Sequence, residues 1–277
     1  MWVKIKNSTL FCIALFSFSC NNANQSKATD QTSQSDKSSI SVDSVSYQLN
    51  GKTYIGFIYV DSSIQNKRPA ILVVPEWWGL NDYAKSRAAQ LAGLGYVSMA
   101  VDMYGNGQTG ATPEEAQTLS APFYTNPQLA KTVLDAAIEK IKSFPQTDTS
   151  QVAAMGYCYG GYIVLNAAKL GANLKGVISV HGGLEGVAPD KNLLKAKILV
   201  CQGGADSFEN PNVPAFKKQM DSIGADYTFI TYPNATHAFS NPESTETGKK
   251  FNLPIRYNAV ADSASWKDIQ VFLKKLF

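Results

Sequence analysis

Residues 151–161 read QVAAMGYCYGG, an apolar run set directly against a glycine-flanked cysteine, with an Ala-rich stretch to Leu170 behind it. The run at 152–155 suits a strand buried on both faces, and 160–170, closed by Gly171, suits a helix. The junction Gly156-x-Cys158-x-Gly160 has the form of a strand–turn–helix elbow that carries a nucleophile, with Cys in place of Ser. Glycines two residues to either side of Cys158 let backbone approach backbone without clashing β-carbons. At the start of a helix the dipole also favours a thiolate. A buried structural Cys beside a glycine turn is the plainer reading, and the strand before and helix after argue against it.

Working outward, the same alternation recurs. Val45, Tyr47 and Leu49 alternate with polar residues and lead through Asn50-Gly51 into a second β-rich stretch, which predicts a hairpin. Residues 70–75, 96–101, 176–180, 198–201 and 227–231 read as strands. A helix capped by Asn81 or Asp82 carries Ala84, Ala88, Leu91 and Ala92 and ends at Gly93 or Gly95. Thr112-Pro113-Glu114-Glu115 is a capping box, and Asn126-Pro127 opens a further helix. Helical spacing returns at Val213, Phe216, Met220 and Ile223, and again at Trp266, Ile269, Leu273 and Leu276. Buried strands alternating with amphipathic helices imply one α/β domain over 44–277: a mostly parallel central sheet, helices on both faces, and an antiparallel hairpin at its start.

A nucleophile on such an elbow needs a base and an acid later in the chain, in that fold's order nucleophile, acid, His. Of the two histidines, His237 lies after Cys158, on the loop that follows strand 227–231. Asp206 follows strand 198–201 through Gly203-Gly204 and is the expected acid; Glu209 competes, and a turn carboxylate is the bland alternative. His181, at a strand end on the same side, either lines the pocket or is a hydrogen-bonded loop histidine. Cys201 sits inside a strand and reads as inert core.

The 277 residues carry a net charge of +3, with 17% charged residues and no basic run, so nucleic acid is not an expected partner. Four cysteines without a CxxC pair argue against zinc and against a disulfide framework, and no metal or organic cofactor is expected. Residues 1–20 begin with Lys4 and Lys6, continue through the apolar run 10–18 and end Ser19-Cys20. That run is too short to span a bilayer and resembles a bacterial lipoprotein signal, with Cys20 lipidated and Cys12 discarded. An ordinary secretory signal or an uncleaved anchor remains open. Residues 21–43 are almost wholly polar and read as a flexible tether. The expectation is a cell-envelope protein, membrane-anchored by lipid and facing the periplasm or exterior.

VVPEWWGLN (73–81), DMYG (102–105), MGYCYGG (155–161), HGGL (181–184), GGAD (203–206) and HAFSNP (237–242), in this order, resemble the dienelactone hydrolase family of the α/β-hydrolase fold. The resemblance covers about residues 45–277. It implies ester or lactone hydrolysis through Cys158, His237 and Asp206 and a thioester. It also implies that Glu76 pairs with the resting thiol, and that the backbone N–H groups of Trp77 and Tyr159 form an oxyanion hole. The family's two substrate-binding arginines are missing: Gly105-Asn106-Gly107 and Ser240-Asn241 stand in their places, and neither Arg87 nor Arg256 has a spacing that replaces them. Tyr104, Asn106, His181 and Asn241 are the expected pocket residues. The aromatics Trp77, Trp78, Tyr104, Phe123, Tyr124, Tyr157 and Tyr159 read mostly as packing, with segment 102–126 as a candidate cover. The rival classes are a non-catalytic binding lipoprotein on the same scaffold, and an acyltransferase or thiol peptidase using the same triad.

Overall fold

A computed structural model describes residues 39–277. The expected signal, Cys12, Cys20 and most of the tether lie outside the described residues. Eight strands form one sheet: β1 (Ile40–Leu49), β2 (Lys52–Asp61), β3 (Arg68–Val74), β4 (Val97–Val101), β5 (Thr147–Tyr157), β6 (Gly176–Val180), β7 (Lys197–Gly203) and β8 (Tyr227–Tyr232), in the spatial order β1-β2-β4-β3-β5-β6-β7-β8. β1 and β2 are antiparallel to their neighbours, and β3 to β8 are parallel. Seven helices connect them: α1 (Asp82–Gly93), α2 (Pro113–Thr125), α3 (Pro127–Lys142), α4 (Tyr159–Lys169), α5 (Val213–Ser222), α6 (Ser244–Phe251) and α7 (Ala259–Leu276).

The period of two along each strand divides the apolar side chains between two cores. Ala70, Leu72 and Val74 of β3 face one way, with Val133 and Leu134 of α3, Ile163 and Val164 of α4, and Phe216 and Met220 of α5. Ile71 and Val73 face the other way, with Ala84, Ala88 and Leu91 of α1 and Ile269 and Leu273 of α7. Both faces are therefore covered, which is why the central strands read as continuous apolar runs.

Local chemistry sets the connections. Asn50 and Gly51 both have positive φ, 51° and 76°, as the tight hairpin turn requires. Asn81 caps α1 by accepting from Ala84 N, and Thr112 caps α2 by accepting from Glu115 N. Three boundaries differ from the pattern reading. β1 begins at Ile40, inside the segment expected to be tether, because an edge strand is held by its ladder to β2 and needs little burial. β5 starts at Thr147, five positions before the apolar run, where Thr147 pairs with Arg68 of β3 ahead of a register shift. α6, with the sequence STETGKKF, carries no apolar stripe and was not expected.

One close approach fixes the architecture around Cys158. A Cβ on Gly160 would lie 2.3 Å from Val74 O and 2.6 Å from Pro75 O. The start of α4 is thus pressed against the end of β3, and the loop 75–78 is carried to the nucleophile. Gly160→Ala is expected to lower stability by about 3 kcal/mol, since both clashing atoms are backbone and neither side can yield without moving the sheet. Urea unfolding measures it; a cost below about 0.5 kcal/mol would mean the contact is soft.

Candidate active site

Cys158 has φ +52° and ψ −118°, a conformation that an L-residue enters only under constraint. Gly156 makes it possible: a Cβ there would fall 2.0 Å from Gly160 O. The Cys158 N–H donates to Val180 O at 3.0 Å and to His181 Nδ1 at 3.1 Å. The Cys158 carbonyl accepts from Gly161 N at 2.9 Å and from Tyr162 N at 3.2 Å, which starts α4. The side chain is left half-buried at the floor of a cavity.

His237 reaches that cavity, with Asp206 buried behind it, on two loops bound to each other. Gly204 N donates to Tyr232 O and Ala205 N to Ala235 O, each at 2.8 Å. A Cβ on Gly203 would lie 2.5 Å from Ala235 O, so the glycine is what lets the loops touch. His237 Nδ1 then donates to Asp206 Oδ2 at 2.9 Å. Asp206 is fully buried and also accepts from Gln202 Nε2 at 3.0 Å, Phe208 N at 3.0 Å and Glu209 N at 3.2 Å. Burial pushes its carboxyl up, but the bond and charge of His237 and the two N–H groups outweigh it and hold it below its ordinary value. Burial opposes a charged His237 too, yet the Cys158 sulfur and Asp206 raise its imidazole well above the usual range.

The cavity holds about 220 Å³ and is lined by Cys158, His237, Glu76, Trp77, Trp78 and Tyr159 together with residues from α2, α6 and the loops after β6 and β7. Neither the Trp77 nor the Tyr159 backbone N–H donates to a protein acceptor among the described residues. Both remain available at the cavity wall. Tyr104 OH donates to Trp77 O at 2.8 Å and steadies that peptide from behind.

Several expected site residues sit elsewhere. Tyr104, Asn106 and His181 do not line the cavity; of the four expected pocket residues, Asn241 does. Tyr104 is buried behind loop 75–78, and Asn106 lies exposed in a turn with φ +56°. His181 is fully buried under the elbow, where its Nε2 meets Ser240 Oγ at 2.8 Å and Ser240 Oγ meets Tyr83 OH at 2.7 Å. Because Nδ1 accepts from Cys158, Nε2 carries the proton. Burial, then the charge of His237, lowers its pKa far below the ordinary value, so it stays neutral. Arg87 is buried against Asp262 and the rings of Tyr83, Tyr157 and Trp266, away from the cavity. Ser240 and Tyr83 had no signal in the sequence, since their partners are distant in the chain.

Glu76 is 2% exposed, and its recorded partner is Asn241, whose Nδ2 donates to Oε2 at 2.7 Å; no bond to the Cys158 thiol is present among the described residues. Glu209 pairs with Leu184 N at 3.1 Å, and Asp206 takes the place next to His237. Cys201 is buried, with Tyr232 OH 3.5 Å from its sulfur, and burial pushes its thiol up to about 12.

A thiol at a strained elbow, an imidazole near it and a buried carboxylate bonded to that imidazole form the kind of arrangement that α/β-hydrolases carry. The sequence profile of the dienelactone hydrolase family matches residues 56–277, and the chain belongs to that family of ester and lactone hydrolases. It is similar to a Methylorubrum extorquens protein assigned as a carboxymethylenebutenolidase, 30% identical over 62% of this chain and 63% of that one. Among solved structures it resembles P91, a dienelactone hydrolase-like promiscuous phosphotriesterase from metagenomic libraries, with TM-score 0.81 and 29% identity over 86% of this chain and 99% of that one. A second, m3DLH, gives TM-score 0.82 and 26% identity over the same 86% of this chain and 99% of its own.

Burial raises Glu76 to about 7, against its hydrogen bond from Asn241. Its pKa in the unfolded chain is about 4.3. Between these values the folded protein keeps a proton that the unfolded chain releases, so stability falls as pH rises through the window. Glu76→Gln removes the loss. Its stability relative to the parent is expected to rise by about 3 kcal/mol between pH 4.5 and pH 7.5, read by urea unfolding at the two pH values. A constant difference would contradict a raised Glu76.

Proposed function

We propose that the protein hydrolyses a carboxylic ester or lactone through Cys158, His237 and Asp206 by way of a thioester. The observation that carries this is the 2.9 Å bond from His237 Nδ1 to buried Asp206 with Cys158 on the elbow beside the ring. The Cys158 thiolate attacks the carbonyl carbon, and the N–H groups of Trp77 and Tyr159 take the oxyanion. As the tetrahedral adduct collapses, its C–O bond breaks and His237 Nε2 protonates the departing alkoxide. His237 then removes a proton from water, whose oxygen attacks the thioester carbon and releases the acid and the Cys158 thiolate. Asp206 holds the imidazole in the tautomer that both steps need.

Glu76 is the group that the family resemblance pairs with the resting thiol; a rotation of Cys158 toward loop 75–78 would be needed to bring them together. The similarity to P91 adds neutral phosphotriesters as a second substrate class for the same nucleophile. For the N-terminus, we propose lipidation at Cys20 and a cell-envelope location, tested by metabolic labelling with a clickable fatty acid in the parent and in Cys20→Ala.

Cys158→Ala is expected to abolish hydrolysis of p-nitrophenyl esters and simple lactones. Asp206→Asn should lower kcat by about 10⁴ with little change in KM, because the imidazole loses its orienting acceptor. Retained turnover in Cys158→Ala would remove the cysteine from the chemistry.

A further inference from the structure

The cavity wall has an unusual charge. Two carboxyl groups line it, Glu76 and Glu209, and no Lys or Arg does. A third, Glu185, stands beside it, its Oε1 3.0 Å from where a Cβ on the lining residue Gly183 would lie. None of the three is in an ion pair among the described residues. Glu76, 2% exposed, gives Oε2 to Asn241, while Oε1 accepts no hydrogen bond among the described residues. Glu209 gives Oε2 to Leu184 N and to Asn212 Nδ2 at 3.3 Å, and its Oε1 is likewise unengaged.

The apolar part of the wall is aromatic. Tyr124 and Phe208, 40% and 45% exposed, stand at the Glu209 side. Both Phe208 N and Glu209 N donate to Asp206 Oδ1, so the acid that orients His237 also sets this rim. Burial raises Glu76 and Glu209 each to about 7, and above that pH exposed ring faces beside the two carboxylates attract cations and repel anions. The cationic group among the lining residues is His237, and its ring is already bonded to Asp206.

Resting on the hydrolase reading, we propose that the cavity selects esters bearing an ammonium group, held against Tyr124 and Phe208 with Glu209 as its counter-ion. The test compares kcat/KM of the full-length protein for acetylthiocholine and for its neutral isostere 3,3-dimethylbutyl thioacetate at low ionic strength and about pH 8.5, where Glu209 is ionised. The cationic ester is expected to be preferred by about tenfold, the factor that about 1.4 kcal/mol gives. Glu209→Gln keeps the acceptor for Leu184 N and should remove most of the preference by lowering kcat/KM for the cationic ester far more than for the neutral one. Equal values for the two esters, or a preference untouched by Glu209→Gln, would overturn the assignment and leave the hydrolase reading intact. If neither ester is cleaved, calorimetric titration with choline and with 3,3-dimethylbutanol decides it separately. Tighter binding of choline supports the cation site without catalysis; equal or absent binding of both overturns it.

Discussion

The site depends on one backbone conformation, the positive φ of Cys158. A β-carbon in the left-handed region is disfavoured, and the turn survives because its surroundings leave no alternative. Gly156 accepts the returning chain, Gly160 meets the end of β3, and the Cys158 amide is held from two sides by Val180 O and His181 Nδ1. Each constraint comes from a different strand end. Cys158 is therefore placed by the sheet's register rather than by its own loop, which is how a strained residue can be held to the tolerance that the proposed chemistry demands.

The electrostatics divide along the same line. Groups behind the elbow are kept neutral or paired: His181 is an uncharged acceptor, and Arg87 is closed off by Asp262 and three rings. Groups in front carry charge toward the cavity, with His237 raised by Cys158 and Asp206. Two histidines whose ring centroids are 5.3 Å apart thus have opposite tendencies, and burial with different partners is the whole cause.

Much of this was legible in the chain. The elbow, the hairpin turn, the caps at Asn81 and Thr112 and the alternation of buried strands with helices all depend on local pattern, and each appears near its expected place. The pairing of Asp206 with His237 was legible because the fold dictates their order and each follows a strand. What escaped was non-local. His181 reads the same from sequence whether it faces the cavity or the core, and only Ser240, 59 positions away, settles which. α6 has no apolar periodicity because its two faces meet loop backbone and cavity rather than a second helix; Gly248 there would place a Cβ 2.5 Å from Ile255 O. Glu76 is bonded by the Asn241 amide, 165 positions away, a partner that no local pattern announces.

The two described cysteines also differ in fate. Cys201 is sealed in the sheet with its thiol pushed up to about 12, whereas Cys158 is half-open at the cavity floor. Peroxide reaching the domain would therefore attack one sulfur and spare the other, and among the described residues no second exposed thiol stands by to trap a sulfenic acid as a disulfide. In an oxidising setting the protein would age at its nucleophile while its scaffold stayed sound, so folded material and working material become separate quantities.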